Sequence, residues 1–284
     1  MGLVILLSVL TVTREGAASR QKCPSNLRQI GQALQLYAID YKSYPRTYYD
    51  PTVLGTFKPD FTGGAKTSPC SNPFLPQPLG SAGVNNTLAA MFLLVRTTDL
   101  NQEVFICPKS NQEKDNFASD AGTVFTSKDV SNFTSANNIS YSFANPYPTS
   151  QIVVASGQSS IQTGYKWSPN VTADFAIAAD RNDGFTTPAD AAKVAGLTSS
   201  DPQERQRLAN SRNHERDGQN VLYNDGHVEW SQSSFCGANK DNIYTAAKIW
   251  QGSVTFYQTD PAASKDTVTA DPQLDLDTVL IPKF

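Results

Sequence analysis

The sequence predicts an α+β protein in which one long N-terminal α-helix packs on an antiparallel β-sheet and long irregular loops join the elements. Three patterns lead to this fold class: apolar residues at helical spacing up to residue 43, short runs that alternate apolar and polar residues, and stretches crowded with Pro and Gly. A helix with one apolar stripe must cover a core, and strands can supply that core. We therefore divide the chain into an N-terminal helix (1–43), a globular head (44–258) and an acidic tail (259–284).

The second part of the N-terminal helix is amphipathic. Its apolar residues recur at i, i+3, i+7 and i+10, with Arg28, Gln29 and Gln32 mostly off the stripe. We expect this stripe to fix the helix to the head through Leu27, Ile30, Leu34 and Tyr37. The sequence Ser-Tyr-Pro at residues 43–45 ends the helix, because the residue before a proline disfavours helical geometry.

The first part of the same helix is apolar nearly all round. It holds about a dozen largely apolar residues, fewer than the roughly 20 that a membrane-spanning helix needs. A buried core helix joined to an exported leader is the alternative interpretation. The residues available for contact with other helices are Leu3, Val4, Ile5, Leu6, Leu7, Val9 and Leu10.

The head combines one further helix with several short strands. We predict an irregular loop region over 45–83, a helix over 86–100 capped by its Asn-Asn-Thr start, and strands at EVFICP (103–108), ISYSFANPY (139–147) and FAIAADRND (175–183). Residues 186–209 indicate a surface excursion with some helix. The tail is either a poorly packed terminus or an extended segment that docks on the head.

A hairpin is predicted at NVLYNDGHVEW (220–230). Asp225 and Gly226 lie between two alternating runs and favour a type I′ turn, whose two central residues need positive φ. His227 then falls where a two-stranded ribbon faces solvent. His214 lies in a charged loop before the strand, either as a hydrogen-bonded loop histidine or as a group that organises the loop through Asp225 or Asp180.

Composition and motifs exclude several function classes. The formal net charge of −3 and the pI near 5.4 argue against a nucleic-acid partner. We find no hydrolase triad order, nucleophile elbow, zincin helix, P-loop or dinucleotide-binding motif, so no enzyme activity and no cofactor is predicted. Residues 178–184 (AADRNDG) could ligate calcium through oxygen, but they lack the spacing of an EF-hand loop.

The four cysteines favour disulfides over a metal site. Cys23, Cys70, Cys107 and Cys236 form no C-x-x-C pair, which zinc sites and thioredoxin-like motifs usually contain. Four cysteines allow three complete pairings, and the spacing does not choose between them. Any such pair implies an oxidising compartment.

Three separated stretches together resemble the bacterial prepilin-like proteins that carry a C-terminal H-x9-DG signature. They are CPSNLRQIGQALQLYAIDYKSYP after the apolar run, EVFICP in mid-chain, and FAIAADRN, RNHERDGQNVLYNDGHVEW and DNIYTA in the C-terminal half. The signature residues are His214, Asp225 and Gly226. Ten residues rather than nine separate His214 from Asp225, which implies a one-residue insertion or bulge near 216–218.

The resemblance implies a pilin-like fold and a structural role. Subunits of this family would sit in the inner membrane by the apolar helix and assemble into a homo-oligomeric helical filament, a type II secretion pseudopilus or a type IV pilus-like fibre, with the help of the secretion or pilus assembly machinery. The expected location is the bacterial cell envelope, first membrane-anchored and then periplasmic or extracellular. The family's helix begins with Phe and carries Glu at its fifth position; neither is present, so we expect the N-terminal half of that helix to be missing from this sequence or lost.

Two further hypotheses accompany this interpretation. Cys23 lies on the helix and Cys107 on the proposed mid-chain strand, so a Cys23–Cys107 disulfide would join helix to sheet and leave Cys70 and Cys236 for each other. The alternative function is an extracellular module that binds a glycan, a surface or an exported substrate. An aromatic-rich loop would serve that function through Tyr44, Tyr48, Tyr49, Phe57 and Phe61.

Overall fold

The computed structural model describes residues 2–47, 49, 85–118, 122–147, 167–182, 193–194, 197–245, 248–250, 253–255 and 280–281. Along the N-terminal helix, side chains are described from residue 21 onward. In these parts the chain is an α+β protein with a long helix against an antiparallel sheet, as the sequence predicts.

Helix α1 spans Gly2–Tyr41, 40 residues that include Pro24. It ends where Lys42 adopts a φ of 59° and its backbone N–H donates to the carbonyl of Ala38 at 2.9 Å. This left-handed residue stops the helix two residues before the predicted boundary at 43. The residues expected to hold the helix to the head are all buried: Leu27, Ile30, Leu34 and Tyr37.

The main sheet has five strands, and every neighbouring pair is antiparallel. In chain order they are β1 (Tyr141–Ala144), β2 (Ala176–Asp180), β3 (Gln219–Tyr223) and β4 (Val228–Ser231), with β7 (Leu280–Ile281) near the C-terminus. Their spatial order is β4-β3-β2-β1-β7. Strands β5 (Lys248–Trp250) and β6 (Ser253–Thr255) form a separate antiparallel pair.

The three central strands β1, β2 and β3 are buried on both faces. Helix α1 packs against β3 and β2, and a second helix packs against β1. Segments that approach from the other direction bind the sheet through polar contacts: the Asn213 side-chain amide donates to the Ser140 carbonyl at 2.7 Å, and the Tyr244 hydroxyl donates to the Asp180 carbonyl at 2.7 Å. The predicted alternation in these strands therefore separates two covered faces rather than a core face from a solvent face.

Helix α2 spans Thr87–Thr97. Asn86 caps it as predicted, since its side-chain oxygen accepts from the Ala89 N–H at 3.0 Å. The helix ends three residues before the predicted limit of 100. Its buried face meets an aromatic cluster in which the Phe92 ring lies edge-on to Phe133, with ring centroids 5.1 Å apart. A short helix α3 (Gln203–Gln206), continued by a 3-10 turn at Arg207–Ala209, supplies the helix expected within 186–209.

The predicted strand at 103–108 is wrong. Gln102–Phe105 form a 3-10 helix, and the following Ile106 is extended. The Asn101 side chain accepts from the Glu103 N–H at 2.9 Å and so starts a helical turn where the apolar run alone suggests a strand. Further 3-10 turns lie at Ala136–Asn138 and Ala238–Lys240.

The hairpin of β3 and β4 is present, but its turn is not type I′. Asp225 has no positive φ; Gly226 alone does, at 89°. The Gly226 N–H donates to the Tyr223 carbonyl at 2.9 Å, and the Tyr223 N–H donates to the His227 carbonyl at 3.0 Å. This is the three-residue loop in which a type I turn precedes a left-handed glycine.

The acidic tail lies mostly outside the described residues, but its Leu280–Ile281 pair with β1 as strand β7. Leu280 is fully buried, and its N–H donates to the Ile243 carbonyl at 2.7 Å. Of the two alternatives for the tail, the docked extended segment is the one found at these two residues.

Candidate functional site

A disulfide joins Cys23 on α1 to Cys107, 84 residues further along the chain. Both cysteines are fully buried, and their Cα atoms lie 5.2 Å apart. This is the pairing expected for these two cysteines, although Cys107 follows a 3-10 turn and does not lie on a strand. In the chain-entropy description a loop of this length gives a stabilisation of about 4.5 kcal/mol.

A buried polar cluster lies against this disulfide. The Nε2 atom of His214 is 3.1 Å from the Asp180 carboxylate and 3.9 Å from the Cys107 Sγ atom. Asp180 also accepts from the backbone N–H of Asn220 at 2.7 Å and from its side-chain amide at 2.8 Å. The Asp180 side chain is fully buried and that of His214 is 7% exposed.

Strand pairing brings Asp180 and Asn220 together. Asp180 ends β2 and Asn220 lies in β3, and the register places Ala179 opposite Val221. The loop before β3 presents His214 to them, held to the sheet because Ser211 Oγ donates to the Arg181 carbonyl at 2.7 Å and Asn213 donates to Ser140. Of the two partners considered for His214, Asp180 is therefore the one present.

Two buried tyrosines enclose the cluster. The Tyr141 hydroxyl donates to the Cys23 carbonyl at 3.4 Å, and the Tyr244 hydroxyl donates to the Asp180 backbone carbonyl. Burial, and then the nearby negative charge of Asp180, raise the pKa of both tyrosines well above its ordinary value. Both rings therefore stay neutral and act as hydrogen-bond donors.

The signature residues lie at opposite ends of β3. His214 precedes the strand and reaches Asp180, whereas Asp225 and Gly226 form the turn after it. Asp225 instead binds the His227 backbone N–H and its imidazole, and these hydrogen bonds lower the pKa of the Asp225 carboxyl. The residues between the two parts of the signature thus form strand β3 and the short segments on either side of it.

The segment that leads into β3 has an irregular backbone, and it includes residues 216–218, where one extra residue was expected. Glu215 and Arg216 both have positive φ, at 57° and 64°. Gly218 follows. A Cβ atom added there would lie 2.4 Å from the carbonyl oxygen of Ser231 in β4, so only glycine fits at this position.

His227 is half-exposed, as expected beyond the turn. Its ring stacks on Tyr223, with ring centroids 4.5 Å apart, and its Nδ1 atom contacts Asp225. These contacts place it in the hairpin's own packing, away from the buried cluster.

Helix α1 also carries an exposed apolar face. Leu36 and Ile39, three residues apart, are 56% and 64% exposed. A shallow groove runs between this face and the β3–β4 turn, lined by Arg28, Gly31, Gln32, Gln35, Leu36, Ile39, Asp225 and Gly226. No helix of the described part of the chain is long and apolar enough to cross a membrane.

The remaining candidate residues divide between the described and the undescribed parts. The expected assembly residues from Leu3 to Leu10 lie in α1, and their side chains are outside the described set. Cys236 carries a free thiol, which contradicts the predicted Cys70–Cys236 disulfide; Cys70 itself lies outside the described residues. Burial raises the pKa of the Cys236 thiol to about 12, which keeps it protonated.

The aromatic loop gives little support to a binding surface where it is described. Tyr44 is 1% exposed and packs edge-on against Trp167, with ring centroids 5.3 Å apart. Tyr49 stacks on Tyr147. The other rings considered, Tyr48, Phe57 and Phe61, lie outside the described residues.

The described ligand atoms around Asp180 differ from the oxygen-rich set that calcium prefers. Its described neighbours are nitrogen and sulfur atoms, whereas calcium prefers six to eight oxygen ligands; Asp183 and Gly184 of the considered loop are not described. Sequence reasoning did not find Asn220, Tyr141 or Tyr244. Strand register places Asn220 and Tyr141 at Asp180, and a tertiary contact of the segment around residue 244 places Tyr244 there.

Comparison with known proteins leaves the family open. No protein-family model matches the chain, and searches of characterised proteins and of solved structures give no significant match.

Proposed function

We propose that this chain is a pilin-like structural subunit that assembles through its N-terminal helix into a type II secretion pseudopilus or type IV pilus-like filament of the bacterial cell envelope. The observation that carries the proposal is the length of α1, which extends well beyond the part of the helix that packs on the head. The buried side chains of α1 run from Cys23 to Ala38, and Gln21 and Lys22 are exposed. About 20 helical residues precede them, roughly 30 Å of helix.

The composition of that preceding segment supports a packing role. It contains seven apolar side chains between Leu3 and Leu10 and no charge before Arg14. A helix that is apolar all round is stable only inside a protein core, a lipid bilayer or a bundle of similar helices. A bundle of sister helices in a filament core, entered from the membrane, satisfies this requirement.

The half of α1 that packs on the head also carries an exposed apolar face, which is consistent with the same role. Leu36 and Ile39 are three residues apart and so lie on one side of the helix, next to the groove beside the turn. Large exposed apolar side chains grouped on one element are typical of protein–protein contacts. In the proposed filament they face a neighbouring subunit.

The test is electron microscopy of the full-length protein and of two charge variants, each examined after the detergent has been removed. We expect helical fibres from the parent chain and from Val124→Asp, which places the same charge at a residue 69% exposed in the head. Leu6→Asp should abolish fibres because it puts an unpaired charge into the helix bundle. Both variants should melt at the temperature of the parent head. Fibres of equal length from Leu6→Asp, or a parent that stays monomeric, would refute assembly through this helix.

A further inference from the structure

The cluster beside the disulfide contains the donor set of a metal site. One ligand atom from each of Cys23, Cys107, Asp180 and His214 lies within 4.8 Å of the other three, and all four residues are buried. The four ligand atoms of a tetrahedral zinc ion, at about 2.0–2.3 Å from the metal, lie about 3.3–3.8 Å from one another. Reduction would free the two sulfur atoms, now joined by a covalent bond, to move apart to that spacing.

A second observation concerns the Asp180 carboxylate itself. Asp180 Oδ1 is buried and has no hydrogen-bond partner among the described residues, while Oδ2 accepts both hydrogen bonds from Asn220 and faces His214. A buried carboxylate oxygen without a donor costs free energy, which a bound cation would offset. The two bonds from Asn220 would hold this carboxylate in place as a ligand.

We propose that reduction of the Cys23–Cys107 disulfide converts the cluster into a zinc site, with two thiolates, the His214 imidazole and one Asp180 carboxylate oxygen as its four ligands. Two thiolates with one imidazole and one carboxylate form a set that suits Zn²⁺. The disulfide and the metal exclude each other, because a disulfide sulfur is not a thiolate. The inference does not depend on the filament proposal.

The chemistry balances with a dithiol as the reductant. The dithiol transfers two electrons and two protons to the S–S bond, giving two cysteine thiols, and leaves as its own disulfide. Zinc then replaces the two thiol protons, which go to solvent. Two thiolates, one carboxylate and a neutral imidazole around Zn²⁺ leave the site with a net charge of −1. A newly made chain would hold the ion in this way until a second disulfide accepts two electrons from the two thiolates, which forms the Cys23–Cys107 bond, leaves two thiols on the oxidant and releases Zn²⁺.

The experiment uses the full-length protein, reduced with a dithiol that is then removed under inert gas. We expect the reduced parent to bind one Co²⁺, with a thiolate-to-cobalt charge-transfer band that Zn²⁺ displaces, and we expect Zn²⁺ to raise the melting temperature of the reduced form only. The oxidised parent should give neither result. A folded reduced chain without this band, a reduced chain whose melting Zn²⁺ does not change, or equal binding by the oxidised chain would overturn the proposal.

Variants separate this site from other thiols. His214→Gln and Asp180→Asn should each weaken Co²⁺ binding by at least about tenfold. Cys236→Ser removes a partly buried thiol outside the cluster and should leave the affinity and the band unchanged. Folding of each variant is checked by melting of its oxidised form, and if Asp180→Asn does not fold, His214→Gln alone decides. Parent-like binding by His214→Gln, or a band lost in Cys236→Ser, would contradict the assignment.

Discussion

Tyr44 joins the end of the long helix to the hairpin turn. Its hydroxyl donates to the Asn224 side-chain oxygen at 2.8 Å and accepts from the Gln35 side-chain amide at 2.9 Å. Asn224 in turn donates to the carbonyls of Pro169 and Val171. One phenol therefore links helix, turn and loop, and these links keep Asn224 in the position that gives the turn its observed type.

The same burial makes the fold sensitive to alkali. Burial raises the pKa of Tyr44 from 10.0 to about 12, and that of Tyr147 likewise. A raised pKa in the folded state gives stability that is complete below the unfolded value near 10 and is lost as pH rises through about 12. We expect the free energy of unfolding, from urea titrations, to fall between pH 10 and 12. Tyr44→Phe should lower it by about 1 kcal/mol at pH 8 and reduce the alkaline decline. A parent whose stability stays constant up to pH 12 would contradict this.

At the level of elements, the contact between α1 and the sheet decides whether the head folds. Leu34 is fully buried in this contact, whereas Leu36 on the same helix is 56% exposed. Leu34→Asp buries an unpaired charge and should cost more than about 3 kcal/mol, enough to unfold much of the head. Leu36→Asp is the matched control and should change stability by no more than about 0.5 kcal/mol. Circular dichroism during thermal melting measures both. If Leu34→Asp melts like the parent, the helix does not hold the head as described.

The same elements show which features of the fold local sequence patterns can predict. The stripe of Leu27, Ile30 and Leu34 and the Asp-Gly hairpin were predictable, because each depends on residues close in sequence. The mid-chain strand was not, because one side chain, Asn101, starts a 3-10 turn there. The turn type was also missed, because Asn224 is fixed by partners 55 and 53 residues away in sequence.

The candidate site was predictable only in part, for the same physical reason. The sequence alone indicated His214 with Asp180 as a possible partner, and it indicated the Cys23–Cys107 pair. Their convergence depends on the register of β2 against β3 and on a disulfide that spans 84 residues. Asn220 gave no signal of its own, since an Asn inside a strand becomes meaningful only once Asp180 is placed opposite it.

At the scale of the whole molecule, Cys23 and Leu280, which are far apart in sequence, contribute to one core. Cys23 ties α1 to the head from the N-terminal side, and Leu280 closes the β1 edge of the sheet from the C-terminal side. A sheet edge left open is a template for pairing with other chains. The two-residue strand β7 therefore both fills the core and protects that edge.

Shortening Leu280 tests this closure. Leu280 is fully buried in the main core, so Leu280→Ala should lower the free energy of unfolding by about 2–5 kcal/mol. Val124→Ala, at a side chain 69% exposed, is the matched control and should stay within about 0.5 kcal/mol of the parent. Urea titrations give both values, and light scattering should detect more aggregation of the Leu280 variant, because a loosened β7 exposes the backbone N–H and C=O groups of β1. Equal unfolding midpoints for the two variants would mean that the tail strand contributes nothing to the fold and that the β1 edge is protected by another part of the chain.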